Sequence, residues 1–291
     1  MTRDLWLEAH SYLRPLADLS ALVDHAAAGI DIVDARIPDW ENYRQDFLAG
    51  VPLLSSADAA VDLEPGGRMA AALLERLASG TSPERFPERF VAETRALDTD
   101  LRRAPNAARR IADFLLGDET LAPPFPGLLL YLGWTATARF LRPVVHAFDG
   151  WGDEERWLRR YCPTCGSLPA MAQLVGADPG RKRLLSCGCC GTRWQFKRTG
   201  CPFCDTDAQR LASVSIDGES GLRIDHCESC RGYLKTYDGQ GHETLLLSDW
   251  SSLHLDLIAH DRGLKRLAAS LYEFDPVPFM EGNTAPSNRS C

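Results

Sequence analysis

The chain has 291 residues and a formal net charge of −8, with 45% apolar and 25% charged residues. This length suits one large domain or two ordinary ones, and the apolar fraction is sufficient for a buried core. The acidic balance argues against a general nucleic-acid-binding protein, whose phosphate contacts need a basic surface.

The N-terminal residues, MTRDLWLEAHSYL, do not resemble an export signal, because Asp4 and Glu8 interrupt the apolar residues. The most apolar stretch, around residues 126–134, is too short to cross a bilayer. We therefore expect a cytoplasmic protein without a membrane span. In that reducing compartment, clustered cysteines are more often metal ligands than disulfides.

The part of the chain before the cysteines is predicted to be an all-α bundle of six to eight helices. Apolar residues recur at helical spacing over residues 15–29, 66–80 and 105–117, and a glycine ends each segment. Residues 127–148 predict a buried helix that is kinked or ends near Pro143. No alternating pattern typical of strands occurs in this part.

Cysteine pairs dominate the middle of the chain. Nine of the ten cysteines lie between Cys162 and Cys230, and eight of them form four CxxC pairs. The pairs belong to an internal repeat: CPTCGS is followed 39 residues later by CPFCDT, and SCGCCG is followed 40 residues later by HCESCR. Short runs between them, LLSC, TRWQF, SVSI and LRIDH, are typical of strands.

This spacing predicts two tetrahedral metal sites. Two CxxC turns can direct four sulfur atoms at one point, which is the geometry of structural zinc or mononuclear iron. The repeat favours sequential over cross-braced pairing of the CxxC motifs. The predicted ligands are Cys162, Cys165, Cys187 and Cys190 in the first site, and Cys201, Cys204, Cys227 and Cys230 in the second. Redox-active dithiols and an iron–sulfur cluster are the alternatives. Cys189 is interpreted as a small buried residue.

The sequence thus predicts an α+β fold: an all-α N-terminal domain, tandem rubredoxin-like or zinc-ribbon-like four-cysteine modules, and a C-terminal helix. Asp249 is a plausible N-cap of that helix. The predicted parts are a helical domain (1–158), a first ribbon (159–199), a second ribbon (200–242), the C-terminal helix (243–278) and a disordered tail (279–291).

A run of basic residues, Arg181, Lys182 and Arg183, is a candidate contact for an acidic partner or RNA. Local compensation of the charge on the thiolates is the alternative interpretation. No catalytic residues are predicted. The seven histidines are scattered, and neither a phosphate-binding loop nor an HExxH motif occurs. A site closed by four thiolates also leaves no position for a substrate on the metal.

Four segments resemble a known family: YCPTCGSLPAMAQLV, LSCGCCGTRWQFKRTGCPFC, HCESCRGYLKTYD and SSLHLDLIAHDRG. They are similar to the formate dehydrogenase accessory proteins, FdhE, over about residues 160–263, whereas the N-terminal part shares only the general layout. The resemblance implies a non-enzymatic, cytoplasmic maturation factor. It also implies binding to the molybdenum-containing catalytic subunit of a respiratory formate dehydrogenase before or around twin-arginine export.

The resemblance further implies a homodimer and rubredoxin-like iron bound by the eight paired cysteines, with zinc as the alternative metal. Two other functions stay open. A tandem ribbon protein can bind nucleic acid, although the acidity of this chain counts against it. A rubredoxin-like redox protein would use its iron to pass or sense electrons.

Overall fold

The computed structural model describes residues 1–31, 33–80, 86–155, 157–177, 180–206, 210–219 and 221–273. It confirms the α+β fold, with helices first and a sheet carrying the cysteines after them. The α-helices described before the first cysteine are α1 (Arg3–Ala9), α2 (Arg14–Ala28), α3 (Trp40–Ala49), α4 (Glu64–Ser79), α5 (Glu88–Leu101), α6 (Ala107–Leu115) and α7 (Pro126–Glu155).

The predicted helices over 15–29, 66–80 and 105–117 correspond to α2, α4 and α6. Helix α7 does not end near Pro143, because it runs through this residue and continues to Glu155, and the alternative of a kink there stays a prediction. Glycine allows α4 to pack closely on its neighbours. A Cβ added at Gly67 would lie 2.0 Å from the carbonyl oxygen of Ala108, in the first turn of α6.

Six strands of the described residues form one sheet, and the CxxC pairs lie at the ends of its strands and in the turns before and between them. The strands are β1 (Pro169–Val175), β2 (Lys182–Cys187), β3 (Arg193–Phe196), β4 (Leu211–Ser215), β5 (Leu222–Cys227) and β6 (Tyr233–Asp238), and their order is β3-β2-β1-β6-β5-β4. Each ribbon is an antiparallel three-stranded meander. The two meanders join through β1 and β6, which pair in parallel with Met171 opposite Lys235. The two ribbons therefore share a single sheet.

Strands β2 to β5 match the runs recognised in the sequence, but β1 and β6 were not predicted. Nearly every residue of β1 and β6 is buried. A strand covered on both faces shows no polar alternation, and this explains why its sequence does not stand out.

Two hydrophobic cores stabilise the molecule, and each combines segments distant in sequence. The first unites helices α2 to α7 with the first ribbon, where Leu185 and Trp194 are buried among helical side chains. The second unites α1, the second ribbon and the C-terminal segment, through residues such as Trp6, Ile224 and Leu255. Both cores contain residues from more than one of the parts expected from the sequence. The expected domain boundaries therefore stay predictions.

Up to residue 273, the segment predicted as a C-terminal helix over 243–278 is divided into shorter elements. It contains α8 (Glu243–Leu246), a 3-10 turn (Asp249–Ser252) and α9 (Leu253–Asp261). Asp249 is not an N-cap, since Ser248 occupies that position and the Asp249 carboxylate forms ion pairs instead. The predicted tail, 279–291, lies outside the described residues. Among the described helices, none is both long and apolar enough to cross a membrane.

Candidate metal centres

Each CxxC pair sits on a tight turn of the same construction. The residue after the second cysteine has a positive φ in all four turns, at Gly166 (80°), Gly191 (78°), Asp205 (60°) and Arg231 (60°). In three of the turns that residue donates its N–H back to the carbonyl of the first cysteine, at 2.9–3.0 Å. This left-handed turn directs both sulfur atoms to the same side. Glycine adopts it without strain in the first ribbon, whereas Asp205 and Arg231 adopt it in the second.

The first cluster brings together Cys162, Cys165, Cys187 and Cys190, as the spacing predicts. Cys162 Sγ lies 3.5 Å from Cys190 Sγ, and Cys165 Sγ lies 3.4 Å from Cys187 Sγ. The second cluster brings together Cys201, Cys204, Cys227 and Cys230. There the Cys201–Cys230 and Cys204–Cys227 sulfur pairs are each 3.7 Å apart.

These separations suit a metal ion. Four sulfurs about 2.3 Å from a tetrahedral ion are separated from each other by about 3.8 Å. A disulfide would need a sulfur–sulfur distance of about 2.05 Å, so the described cysteines are free thiols. Each group of four can therefore hold one mononuclear ion, and the geometry suits iron and zinc equally.

Backbone and hydroxyl groups surround the sulfurs. The amide N–H groups of Cys189, Phe203 and Gly232 donate to the sulfurs of Cys187, Cys201 and Cys230 at 3.4 Å. A hydroxyl also lies two residues after the second cysteine of three pairs: Ser167, Thr192 and Thr206, at 3.4, 3.1 and 3.1 Å from the respective sulfurs. These hydroxyls were not predicted from the sequence, although their constant position in the repeat was a usable signal.

The thiols within each cluster differ in acidity. Burial raises the pKa of Cys162 well above its ordinary value, whereas hydrogen bonds from the neighbouring thiols lower that of Cys165 well below it. In the second cluster, burial raises the pKa of Cys201 to about 12. A hydrogen bond with Thr206 is the main cause that lowers the pKa of Cys204 to about 6. One sulfur of each cluster thus favours the thiolate, the form that binds metal.

The two clusters differ in solvent access. In the first, Cys162, Cys187 and Cys190 are buried in the core that the helices share. In the second, Cys204 is exposed and Cys230 is half-buried. Cys165 of the first cluster is half-buried, and Cys201 and Cys227 of the second are buried. The second cluster is therefore the more exposed of the two, at Cys204.

Cys189 lies beside the first cluster but does not belong to the group of four. Its sulfur is 3.6 Å from Ser167 Oγ, and its side chain is half-buried. Cys190, which follows it, supplies the fourth sulfur.

The basic run does not form a continuous surface. Arg183 is only 5% exposed, and it donates to the carbonyl oxygens of Lys197 and Gly200. Its burial lowers the pKa of the guanidinium to about 10. Arg181 is half-buried and pairs with Asp238, so Lys182 is the exposed member. A contact of this run with a partner stays a prediction, for which Lys182 is the most accessible of the three residues.

Comparison with known proteins supports the resemblance noted in the sequence, although no family model matches the chain. The chain is 31% identical over 130 residues to the FdhE homolog of Aquifex aeolicus. The aligned region covers 43% of this chain and 46% of that protein. It is 37% identical over 119 residues to the FdhE homolog of Pseudomonas aeruginosa, covering 37% and 38% of the two chains. It is 30% identical over 186 residues to that of Stutzerimonas stutzeri, covering 59% and 57%.

The aligned part is thus less than two thirds of each of these relatives. The fold extends the likeness along the chain. The crystal structure of the FdhE protein from Pseudomonas aeruginosa superposes with a TM-score of 0.59 over 90% of this chain and 88% of that one, at 24% identity. The family resemblance is confirmed.

Proposed function

We propose that this chain, which belongs to the FdhE family, is a non-enzymatic maturation factor for a respiratory formate dehydrogenase. It binds the catalytic subunit of that enzyme in the cytoplasm, before or around twin-arginine export. The similarity to FdhE proteins supports this proposal for the fold and for the cysteine-rich part of the chain.

The observation that carries the proposal is the closure of both clusters by four sulfurs. A metal ion with four thiolate ligands has no vacant position for a substrate, in contrast to a catalytic zinc site. The eight cysteines hold two mononuclear ions, for which the family resemblance favours iron and leaves zinc as the alternative. Each ion shapes the ribbon around it and so the surface that the partner contacts.

The edge of the second cluster is the proposed contact surface. Cys204 and Asp205 are exposed there, and Phe203 is half-buried beside them. Three cysteines of the first cluster are buried in a core shared with the helices, so the first cluster is less accessible to a partner. Loss of the second ion would therefore change the proposed contact surface directly. Loss of the first ion would change it only indirectly, by disturbing the packing of the shared core.

A pull-down from a lysate of the native host tests this function. The bait proteins are the wild type, a Cys201→Ser/Cys204→Ser variant and, as a matched control, Cys189→Ser, which leaves both groups of four intact. We expect mass spectrometry to identify the catalytic subunit of a formate dehydrogenase with the wild type and the control, and much less of it with the double variant. Recovery of nucleic acid and no formate dehydrogenase in any lane would contradict the proposal.

The exposure of Cys204 favours one second candidate, a redox function for the same ion. An iron near the surface can exchange electrons with a partner, whereas a zinc ion does not change oxidation state. A reversible change in the visible spectrum on reduction, altered by the partner, would support this role. The proposed homodimer is tested separately, by sedimentation of the purified protein.

A further inference from the structure

A cluster of two histidines and one carboxylate lies apart from the cysteines. His10 follows α1, Glu219 lies in the turn between β4 and β5, and His254 lies in the first turn of α9. Their side chains are 8%, 7% and 9% exposed. The fold brings these polar groups together beside the second hydrophobic core, although His10 and Glu219 are 209 residues apart in sequence.

Both imidazole rings point at the same carboxylate oxygen. The Nε2 atoms of His10 and His254 each lie 2.7 Å from Glu219 Oε1. His10 Nδ1 lies 3.0 Å from the carbonyl oxygen of Trp6, and a carbonyl oxygen only accepts hydrogen bonds. The Nδ1 atom therefore carries a proton, and a neutral His10 presents the lone pair of Nε2 to an oxygen that is also an acceptor. This contact needs a hydrogen atom between the two atoms, carried by the ring or by the carboxyl group, or a metal cation that both atoms bind.

The second oxygen of Glu219 lacks a partner. Oε2 is buried and has no hydrogen bond within the described part of the chain, and the same holds for His254 Nδ1. A buried carboxylate oxygen is costly when unpaired, so it marks a position where a cation or its water ligand would be favourable. The unused oxygen belongs to a side chain more than nine-tenths buried.

Aromatic side chains hold the rings in place. The indole of Trp6 stacks on His10 at a centroid distance of 3.8 Å. Tyr12 stands edge-on to both histidines, at 5.9 Å from His10 and 5.8 Å from His254. Tyr12 is itself 59% exposed, so the cluster lies just below the surface. Contact of a ring with a backbone carbonyl through Nδ1 is also the usual support for a histidine that binds metal through Nε2.

We propose that His10, Glu219 and His254 form a third metal site, for a divalent first-row transition ion bound through nitrogen and oxygen. The ligand atoms all lie within 4.8 Å of one another. An ion about 2.0–2.1 Å from each donor requires neighbouring donors about 3 Å apart, and the two 2.7 Å histidine–carboxylate contacts reach this spacing by a shift of a few tenths of an ångström. The donor atoms of the two histidines, which lie within 4.8 Å of each other, must come within about 4 Å to share the ion.

This site differs chemically from the two cysteine clusters. Two histidines and one carboxylate leave coordination positions vacant, as in catalytic zinc sites and in iron sites that bind an external ligand. The ion would connect the end of α1 and the first turn of α9 to the turn between β4 and β5, and its coordination by three protein ligands would leave room for an external ligand. The site does not depend on the proposed function.

A cobalt titration tests the proposal on the full chain with zinc in both cysteine clusters. Co²⁺ is added to this protein, bound metal is counted by mass spectrometry and the absorption spectrum is recorded. We expect one cobalt ion per chain in addition to two zinc ions, with weak visible bands and without the near-ultraviolet thiolate-to-cobalt charge-transfer band. Glu219→Gln and His254→Gln should each weaken cobalt binding by roughly tenfold or more.

His260→Gln is the matched control, because His260 lies on the same helix, α9, and its side chain is 78% exposed. It should bind cobalt as the wild type does. Circular dichroism and retention of two zinc ions check that each variant is folded. If a variant does not fold, the cobalt count and the absorption spectrum of the wild type alone decide whether the third site exists. Absence of cobalt beyond the two zinc ions, a thiolate charge-transfer band, or equal binding by Glu219→Gln would overturn the proposal.

Discussion

Lys235 Nζ lies 2.6 Å from Asp249 Oδ1, and the side chain of Lys235 is only 1% exposed. The same ammonium group lies 2.9 Å from Asp256 Oδ2, and Arg266 binds both carboxylates at 2.6–2.9 Å. The ion pairs join β6 to the C-terminal segment. They also connect two of the family-like segments, since Lys235 belongs to YLK and Asp256 to SSLHLDLIAHDRG.

Replacing Lys235 should destabilise the protein strongly. Lys235→Met keeps most of the stem but leaves two buried carboxylates with Arg266 as their remaining cation, so we expect the free energy of unfolding to fall by about 3 kcal/mol. Lys265→Met, at an exposed position, should change it by less than about 0.5 kcal/mol. Urea unfolding of the metal-loaded protein, followed by tryptophan fluorescence, measures both. Equal effects would show that the buried pairs contribute little.

Asp249 should make the protein sensitive to acid. Burial raises the pKa of this carboxyl, but the charges of Lys235 and Arg266 outweigh burial and hold it well below the ordinary value. A depressed pKa contributes stability above the unfolded-state pKa, about 3.9, and that stability is lost as the pH falls towards the folded-state pKa.

Asp249→Asn should therefore lower the melting temperature at neutral pH and reduce its decline between about pH 5 and pH 2. Asp261→Asn is the control, because its side chain is 85% exposed. Metal release in acid affects all three proteins. The comparison is therefore between the slopes of their melting temperature against pH. Parallel slopes for the wild type and Asp249→Asn would contradict this assignment.

The left-handed turn after Cys190 should need glycine. At Gly191, with φ of 78°, an added Cβ meets no described atom within 4 Å, so Gly191→Ala tests backbone strain alone. We expect it to lower the free energy of unfolding by about 1–2 kcal/mol. Gly150→Ala, within α7 and equally uncrowded, should instead raise it by about 0.5–1 kcal/mol. Thermal unfolding of the two variants should thus shift in opposite directions.

Metal removal should proceed in two steps, because the second cluster is more exposed than the first. A chromogenic chelator should extract the second ion quickly and the first slowly, and Cys204→Ser should abolish the fast phase. Helical circular dichroism should persist through the fast phase and decrease in the slow phase, since the first cluster shares its core with the helices. Release of both ions in a single phase would contradict this order.

Helix positions were largely readable from the sequence. Apolar spacing with terminal glycines predicted α2, α4 and α6, because those signals lie within each segment. Local patterns failed where tertiary contacts outweighed them. Pro143 did not end α7, and residues 243–278 did not form one helix, since Asp249 is bound to Lys235 and Arg266.

The two groups of four cysteines could be predicted from the sequence. A CxxC turn is built from adjacent residues, and the repeat shows which turns belong together. Three other relationships emerge only in the folded molecule: β1 and β6 join the ribbons into one sheet, Arg183 is buried, and His10 contacts Glu219. These relationships depend on contacts between segments far apart in the chain. Such contacts leave no local periodicity, because each segment alone carries only half of the interaction.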